Sequence, residues 1–125
     1  MRTIITIILA LLTSNSYADW DSWTDTNRQL FVASQLAITA DWMTTRYGII
    51  HRNELPSYLR ESNKFLGPYP SVARLNLYSV FLLVSNYYIT DYLPPDERNV
   101  YLFIRTATHG YAVHTNIQAG WQLRF

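Results

Sequence analysis

The apolar positions of this chain change their spacing several times, and each change predicts an element. From Arg28 to Tyr47 they recur at the helical period, about 100° per residue. Val32, Leu36, Ala40 and Met43 share an apolar face. Arg28, Gln35, Thr39 and Arg46 form a stripe beside it that reads as solvated. Asp41 lies on the far side from the arginines, among Ser34, Ala37 and Thr45, so it reads as a buried carboxylate in need of donors. Thr26 or Asn27 is the expected cap and Gly48 the expected stop. The small residues Ala33, Ala37, Ala40 and Thr44 leave room for a second helix to approach closely.

Residues 71–93 are apolar almost all the way round, with Asn76, Ser79, Asn86 and Thr90 as exceptions on a loose stripe. That is the pattern of a buried central helix or of a membrane span. Pro70 or Ser71 opens it and Pro94-Pro95 closes it. A last helix is predicted from about 96 to 115, with Asp96 and Glu97 in the first turn, where the helix dipole favours acids. Arg98, Arg105, His109 and Asn116 fall on one of its faces, and Gly110 weakens its middle.

Two stretches depart from this period. Residues 49–70 form a long connection rich in Pro, Asn and Gly, with a helical turn predicted near Ser57–Glu61; loops of this length are often functional. The tail alternates strictly, with Ile117, Ala119, Trp121, Leu123 and Phe125 apolar, which is strand spacing. A closing strand of an outer-membrane barrel would end this way. Eight strands of about 10 residues would use most of the chain, however, and residues 28–47 and 71–93 do not alternate. The expected fold class is therefore all-α, a small bundle of three main helices (about 28–47, 71–93 and 96–115). It carries the long 49–70 connection and an extended C-terminal segment. That segment either packs Trp121, Leu123 and Phe125 back along the helices or pairs with a partner's edge strand.

The opening "MRTIITIILALLTSNSYADW" changes the setting. One positive charge at Arg2 precedes an apolar run from Ile4 to Leu12, and Ser16-Tyr17-Ala18 stands before Asp19. This is the layout of a secretory signal peptide over residues 1–18, followed by a single helical domain over 19–125. The apolar run is shorter than the roughly 20 residues of a spanning helix. Without residues 1–18 the ten basic residues become nine, equal to the nine acidic ones. A neutral domain has no electrostatic footprint for nucleic acid, and there is no basic block for anionic lipid. Cysteine is absent, so an exported chain must be held by packing, by oligomerisation or by membrane contact, and Cys-rich zinc sites are excluded. Ten tyrosines and four tryptophans suit an interface with protein or lipid headgroups.

The polar candidates are Asp41, Thr45, Glu61, Asn63, Asn76, His109, His114 and Asn116. Asp41 or Glu61 with His109 would supply the carboxylate and imidazole of a general acid–base pair. The plainer reading is a buried structural network in which Thr45, Asn63, Asn76 and Asn116 satisfy one another and the acid. His109 and His114 are five residues apart and so diverge by about 140° on a helix, whereas zinc-binding helices space two histidines by four. No metal and no cofactor is expected, and there is neither a Gly-rich phosphate loop nor a Gly-x-Ser-x-Gly elbow. Arg98, Arg105 and His109 could hold an anion or simply form a wet helix face, and His51 reads as a solvated loop residue.

Five stretches occur in order: "ADWMTTRYGII", "ESNKFLGPYPS", "ARLNLYSVF", "LPPDER" and "THGYAVHTNIQAGWQLRF". Together they resemble a group of small bacteriophage and proteobacterial proteins described as hypothetical or membrane proteins. That group shares Asp-Trp-x-x-Thr-Arg, then Glu-x-Asn-Pro-x-Leu-Gly, then a late Asn, a Gly and a terminal Phe. The matching positions are Asp41, Trp42, Thr45, Arg46, Glu61, Asn63, Leu66, Gly67, Asn116, Gly120 and Phe125. Lys64 stands where the group usually has proline, and His109 where it often has glutamate. The resemblance implies a signal-bearing envelope protein associated with phages. The expected function is binding in the envelope of a Gram-negative host, in the periplasm or at the membrane, to an envelope protein or the membrane surface. Lysis modulation and superinfection exclusion are the roles that fit this compartment. The alternative is an envelope hydrolase or acyl-transfer enzyme using Asp41, Glu61 and His109.

Overall fold

A computed structural model describes residues 20–54 and 63–123. The expected signal peptide, the helical turn near Ser57–Glu61, and Glu61 and Phe125 themselves lie outside the described residues. A 3-10 turn, Trp20–Ser22, leads into α1 (Asp25–Ile50), which is followed by α2 (Val72–Tyr92) and α3 (Pro95–Gln118). The helices run up, down and up. Both α2 and α3 pack on α1, while they scarcely touch one another. The fold is the all-α three-helix bundle that the periodicity predicts.

The boundaries differ from the expected ones for local reasons. The expected cap at Thr26 or Asn27 is corrected, because α1 begins three residues earlier than the apolar period. Thr24 is its cap: the Thr24 hydroxyl accepts from the Asn27 N–H at 3.1 Å and the Asn27 side-chain carbonyl accepts from the Thr24 N–H at 3.2 Å. Each satisfies a backbone donor that the helix leaves open. Gly48 does not stop α1, which continues to Ile50. Its missing side chain is used elsewhere: the Trp121 indole lies flat against it, and a Cβ at Gly48 would sit 2.4 Å from two ring carbons.

The C-terminal segment is also corrected. Helix α3 runs three residues past Thr115, through Asn116 and Ile117, so the first alternating positions of the tail are helical. It ends in a two-bond reverse turn. The Gly120 N–H bonds the Ile117 carbonyl and the Trp121 N–H bonds the Asn116 carbonyl, both at 2.9 Å. This closure needs a left-handed residue, and Gly120 supplies it with φ 88°. The turn throws Trp121 back onto Gly48 and buries it, while Leu123 stays half exposed. Of the three tail residues expected to pack back, the structure places Trp121 in the core.

The interior is unusually polar. Asn27, Ser34, Thr44, Asn86 and Thr90 are fully buried, beside Ile38 and Leu102. Asn86 donates to the Ser34 hydroxyl at 2.8 Å and to the Gln35 side-chain carbonyl at 3.2 Å, and Gln35 donates to the Leu83 carbonyl. The stripe containing Gln35 therefore faces α2 rather than solvent. Its neighbours Val32 and Leu36, expected to form the packed apolar face of α1, point outward, with Leu36 65% exposed. At the end where α1 starts, Asn27 donates to Asn99 at 2.7 Å and Trp23 donates to the Asp91 carboxylate at 3.1 Å. Arg98 donates to the carbonyls of Thr90 and Asp91, covering the end of α2, and stacks 5.6 Å from Trp23.

The close fit of Trp121 on Gly48 makes a direct prediction. Gly48→Ala should destabilise the bundle by about 1–3 kcal/mol through overpacking. Gly48→Ala combined with Trp121→Ala should lose less than the sum of the two single changes. Thermal unfolding of the four proteins measures this, and additive losses would mean that the ring and the glycine do not share the contact.

Candidate functional site

The interior polar groups converge toward the end of the bundle that holds the 51–71 connection. Asp41 lies on α1. His109 and Asn116 lie seven residues apart on α3, two turns along one face. The His109 ring places Nδ1 at 2.7 Å from Asp41 Oδ2. The second carboxylate oxygen accepts from Thr45 and from Asn116, each at 3.4 Å. Asn116 also donates to the hydroxyls of Thr44 at 2.9 Å and Thr45 at 3.2 Å. The carboxylate, expected to be buried, is partly exposed with 22% of its side chain accessible, and it finds donors on its own helix and across the interface.

Beside this network lies a cavity of about 360 Å³. Asp41, Thr45, His109 and Asn116 line it from α1 and α3, and Asn63, Leu66, Leu75, Tyr78 and Ser79 from the connection and α2. Asn63 shapes that side. Its side-chain carbonyl accepts from the Phe65 N–H at 2.9 Å, and its amide donates to the Tyr78 hydroxyl at 3.0 Å. The turn it starts closes with Leu66 and Gly67 N–H groups on the Asn63 carbonyl, and Gly67 takes φ 80°, a conformation that suits glycine.

Of the residues predicted for a site, Asp41, Thr45, Asn63, His109 and Asn116 come together here. Asn76 does not line the cavity; it is exposed on α2 and accepts from the Trp42 indole at 2.9 Å, so it positions a lining residue. His114 is exposed and absent from the lining. Among the described residues no group of three or more His, Cys, Asp or Glu side chains forms a metal-binding cluster. The residue missing from the predicted site is Arg105. It lies one helical turn before His109 on the same face and lines the cavity. The spacing of Arg98, Arg105 and His109 was the available signal, but it did not show that this face turns inward.

Chemically, the carboxylate fixes the ring. An Asp41 oxygen on Nδ1 holds the N–H there and leaves Nε2 for exchange with whatever occupies the cavity. His109 is 8% exposed, and its Nε2 is buried without a hydrogen-bond partner among the described residues. Compared with known protein families, with curated proteins and with solved structures, the chain has no match.

The Asp41–Asn116 network can be tested by removal. Asp41→Ala strands the imidazole N–H and removes one acceptor of the Asn116 amide, and should cost about 2–3 kcal/mol; Asn116→Ala should cost about 1–3 kcal/mol. Because the two share partners, the double variant should lose less than the sum by at least about 0.5 kcal/mol. Equilibrium unfolding of the four proteins gives the coupling, and a value near zero would separate the two residues.

Proposed function

We propose that this chain is a small envelope protein embedded in a membrane as a helical bundle, acting by binding through the cavity between its helices. The observation that carries the reading is an inverted distribution of polarity. Asn27, Ser34, Thr44, Asn86 and Thr90 are sealed inside, while Leu77, Val80, Phe81, Val84, Phe103, Ile104 and Tyr111 are each more than half exposed. In water this arrangement gives up apolar burial and still has to satisfy the polar interior. In lipid, helices associate through small residues and interhelical hydrogen bonds, and an apolar outer surface needs no cover.

No helix among the described residues is long and apolar enough to cross a membrane. That property averages all sides of each helix, including the asparagines and serines that face other helices. Lipid would meet only the outer sides. No Asp, Glu, Lys or Arg is exposed from position 75 to 90 on α2 or from 99 to 118 on α3. The α2 stretch is about 24 Å long, close to the ~30 Å hydrocarbon core.

The charges gather at the two ends with opposite sign. Asp21, Asp25, Asp91, Asp96 and Glu97, against Arg28 and Arg98, mark the end where α1 starts; Arg46, Arg52, Lys64 and Arg74, against Glu54, mark the end with the long connection. An exported N-terminus and the preference of basic loops for the cytoplasm support the same orientation, with the connection inside. Lysis modulation or superinfection exclusion would be exercised from that position.

The chain has no cysteine, so single-cysteine reporters are clean. In intact spheroplasts Thr26→Cys should react with an impermeant maleimide, and Asn53→Cys only after permeabilisation. The protein should stay with the membrane through a carbonate wash, and release into the wash would overturn embedding. Arginine at Phe81 and Val84 should abolish stable insertion, since each costs about 2.5–3.5 kcal/mol near a span centre.

A second reading, an envelope hydrolase or acyl-transfer enzyme, is favoured by the oriented Asp41–His109 pair opening on a cavity. It expects turnover of short-chain esters that His109→Gln abolishes, and turnover no higher than that variant's removes it.

A further inference from the structure

The cavity contains a positive charge that no acid among the described residues pairs with. Arg105 lines it, and the Arg105 Nε is buried with no hydrogen-bond partner among the described residues. Among the described residues its ring contact is Tyr101, 6.0 Å away, which offers a π face and no counter-charge. Asp41 is the acid in the lining, and it is occupied by His109, Thr45 and Asn116. His109, one turn along, is more than nine-tenths buried and presents a second unpartnered nitrogen, Nε2. Arg98 offers the contrast. It lies seven residues earlier on the same helix, but its guanidinium is taken up by the carbonyls of Thr90 and Asp91.

Arg105 is half-buried, and its enclosed Nε–H gives up water without gaining a partner; an anion in the cavity would supply one. The rest of the lining is mixed: Ile38, Leu66, Leu75 and Leu82 are apolar, Tyr78 and Tyr111 aromatic, and Asn63, Ser79, Thr108 and Thr115 add uncharged polar groups. The cavity lies against α1 between α2 and α3, helices that scarcely touch, and exposed apolar side chains flank the cleft. Its volume, about 360 Å³, is at the small end of ligand pockets, which run from about 300 to 1,000 Å³. That suits one head group and the first part of a chain.

We infer that the cleft binds an amphiphile with an anionic head, a phosphate or carboxylate held by Arg105 beside His109, whose alkyl chain leaves between α2 and α3. The geometry supports a division of roles. Arg105 supplies the charge and forked donors. With its Nδ1–H on Asp41, His109 presents Nε2 as an acceptor for a hydroxyl of a hydrogen phosphate head. Asn116 and Thr45 donate to the Asp41 carboxylate and offset its charge beside the ligand. This site rests on the membrane-embedded reading, because an alkyl chain leaving the cleft needs an apolar surrounding.

The test uses the full chain purified in a neutral detergent, titrated with dodecyl phosphate, laurate, dodecanol or inorganic phosphate. Fluorescence of Trp42, a lining residue, reports binding. Dodecyl phosphate or laurate should saturate one site per chain, at least tenfold more tightly than dodecanol and than inorganic phosphate. Arg105→Gln should weaken that binding at least tenfold, Arg105→Lys only a few fold, and Arg28→Gln not at all. Should Arg105→Gln fail to fold, the Arg105 Nε–H resonance of the unaltered protein should still shift on adding dodecyl phosphate. Dodecanol binding as tightly as dodecyl phosphate would overturn the proposal, as would inorganic phosphate doing so or an unmoved Arg105 resonance. A chain that resists carbonate extraction yet binds neither anionic amphiphile overturns this site alone, whereas a chain released by carbonate overturns the membrane reading beneath it.

Discussion

Polar groups enclosed between helices must find partners on other helices, and that requirement sets the register of this bundle. Asp41 gains its partners across the interface when His109 and Asn116 reach it from α3, at 2.7 and 3.4 Å. The Asn86 side-chain N–H groups are satisfied when α2 brings them to Ser34 and Gln35, although its Oδ1 is left without a partner among the described residues. Asn27 needs Asn99 at the other end. These bonds are directional, so a slide of one turn along either interface would strand several buried groups, each at a cost of about 1–3 kcal/mol. Apolar side chains tolerate such slides far better. The chain therefore has a specific arrangement although its apolar core is small, limited among fully or nearly fully buried residues to Trp23, Ile38, Ile49, Leu66, Leu75, Leu102 and Trp121.

The same requirement explains what could be read from the sequence. Period alone identified three helices, because 3.6-residue recurrence is independent of what surrounds the helix. It also placed Arg98, Arg105, His109 and Asn116 on one face. It could not say which face is inside. Val32 and Leu36 were expected to pack and are exposed, whereas Gln35, expected in solvent, bridges to α2. The rule that apolar faces turn inward presupposes water outside, and in this chain the polar residues turn inward instead.

Boundaries were lost for a different reason. A glycine reads as a stop when only its conformational freedom is considered. Gly48 is instead a helical position without a side chain, kept clear for Trp121. Gly120 has the left-handed role that was assigned to Gly48, two residues beyond the end of α3. The alternation of the tail belongs to no strand among the described residues, since Ile117 is helical and Trp121 follows a reverse turn. Which of two glycines ends a helix depends on a contact 73 positions away, and local spacing does not contain that information. Of the candidate site, Asp41 was legible because a lone acid on a small-residue face demands partners, and His109 and Asn116 because they share a helical face. Arg105 shares it too, and with Arg98 and His109 it reads from the sequence either as an anion holder or as a wet helix face.

Arg98 and Arg105 separate structure from recognition within one helix. Both are arginines on the inner side of α3, seven residues apart. Arg98 meets the last carbonyls of α2, where a helix leaves acceptors unsatisfied, and its charge also complements the dipole there. Its position is explained completely by the fold. Arg105 lines the cavity, and its Nε has no hydrogen-bond partner among the described residues. Folding alone gives no reason for a guanidinium there, because a leucine of similar reach would fill the space without a desolvation cost. Its neighbour His109 is in a similar position, with one nitrogen accounted for by Asp41 and the other by nothing in the described chain. Two neighbouring nitrogens, Arg105 Nε and His109 Nε2, are thus enclosed beside the cavity without a partner among the described residues, unlike the guanidinium of Arg98.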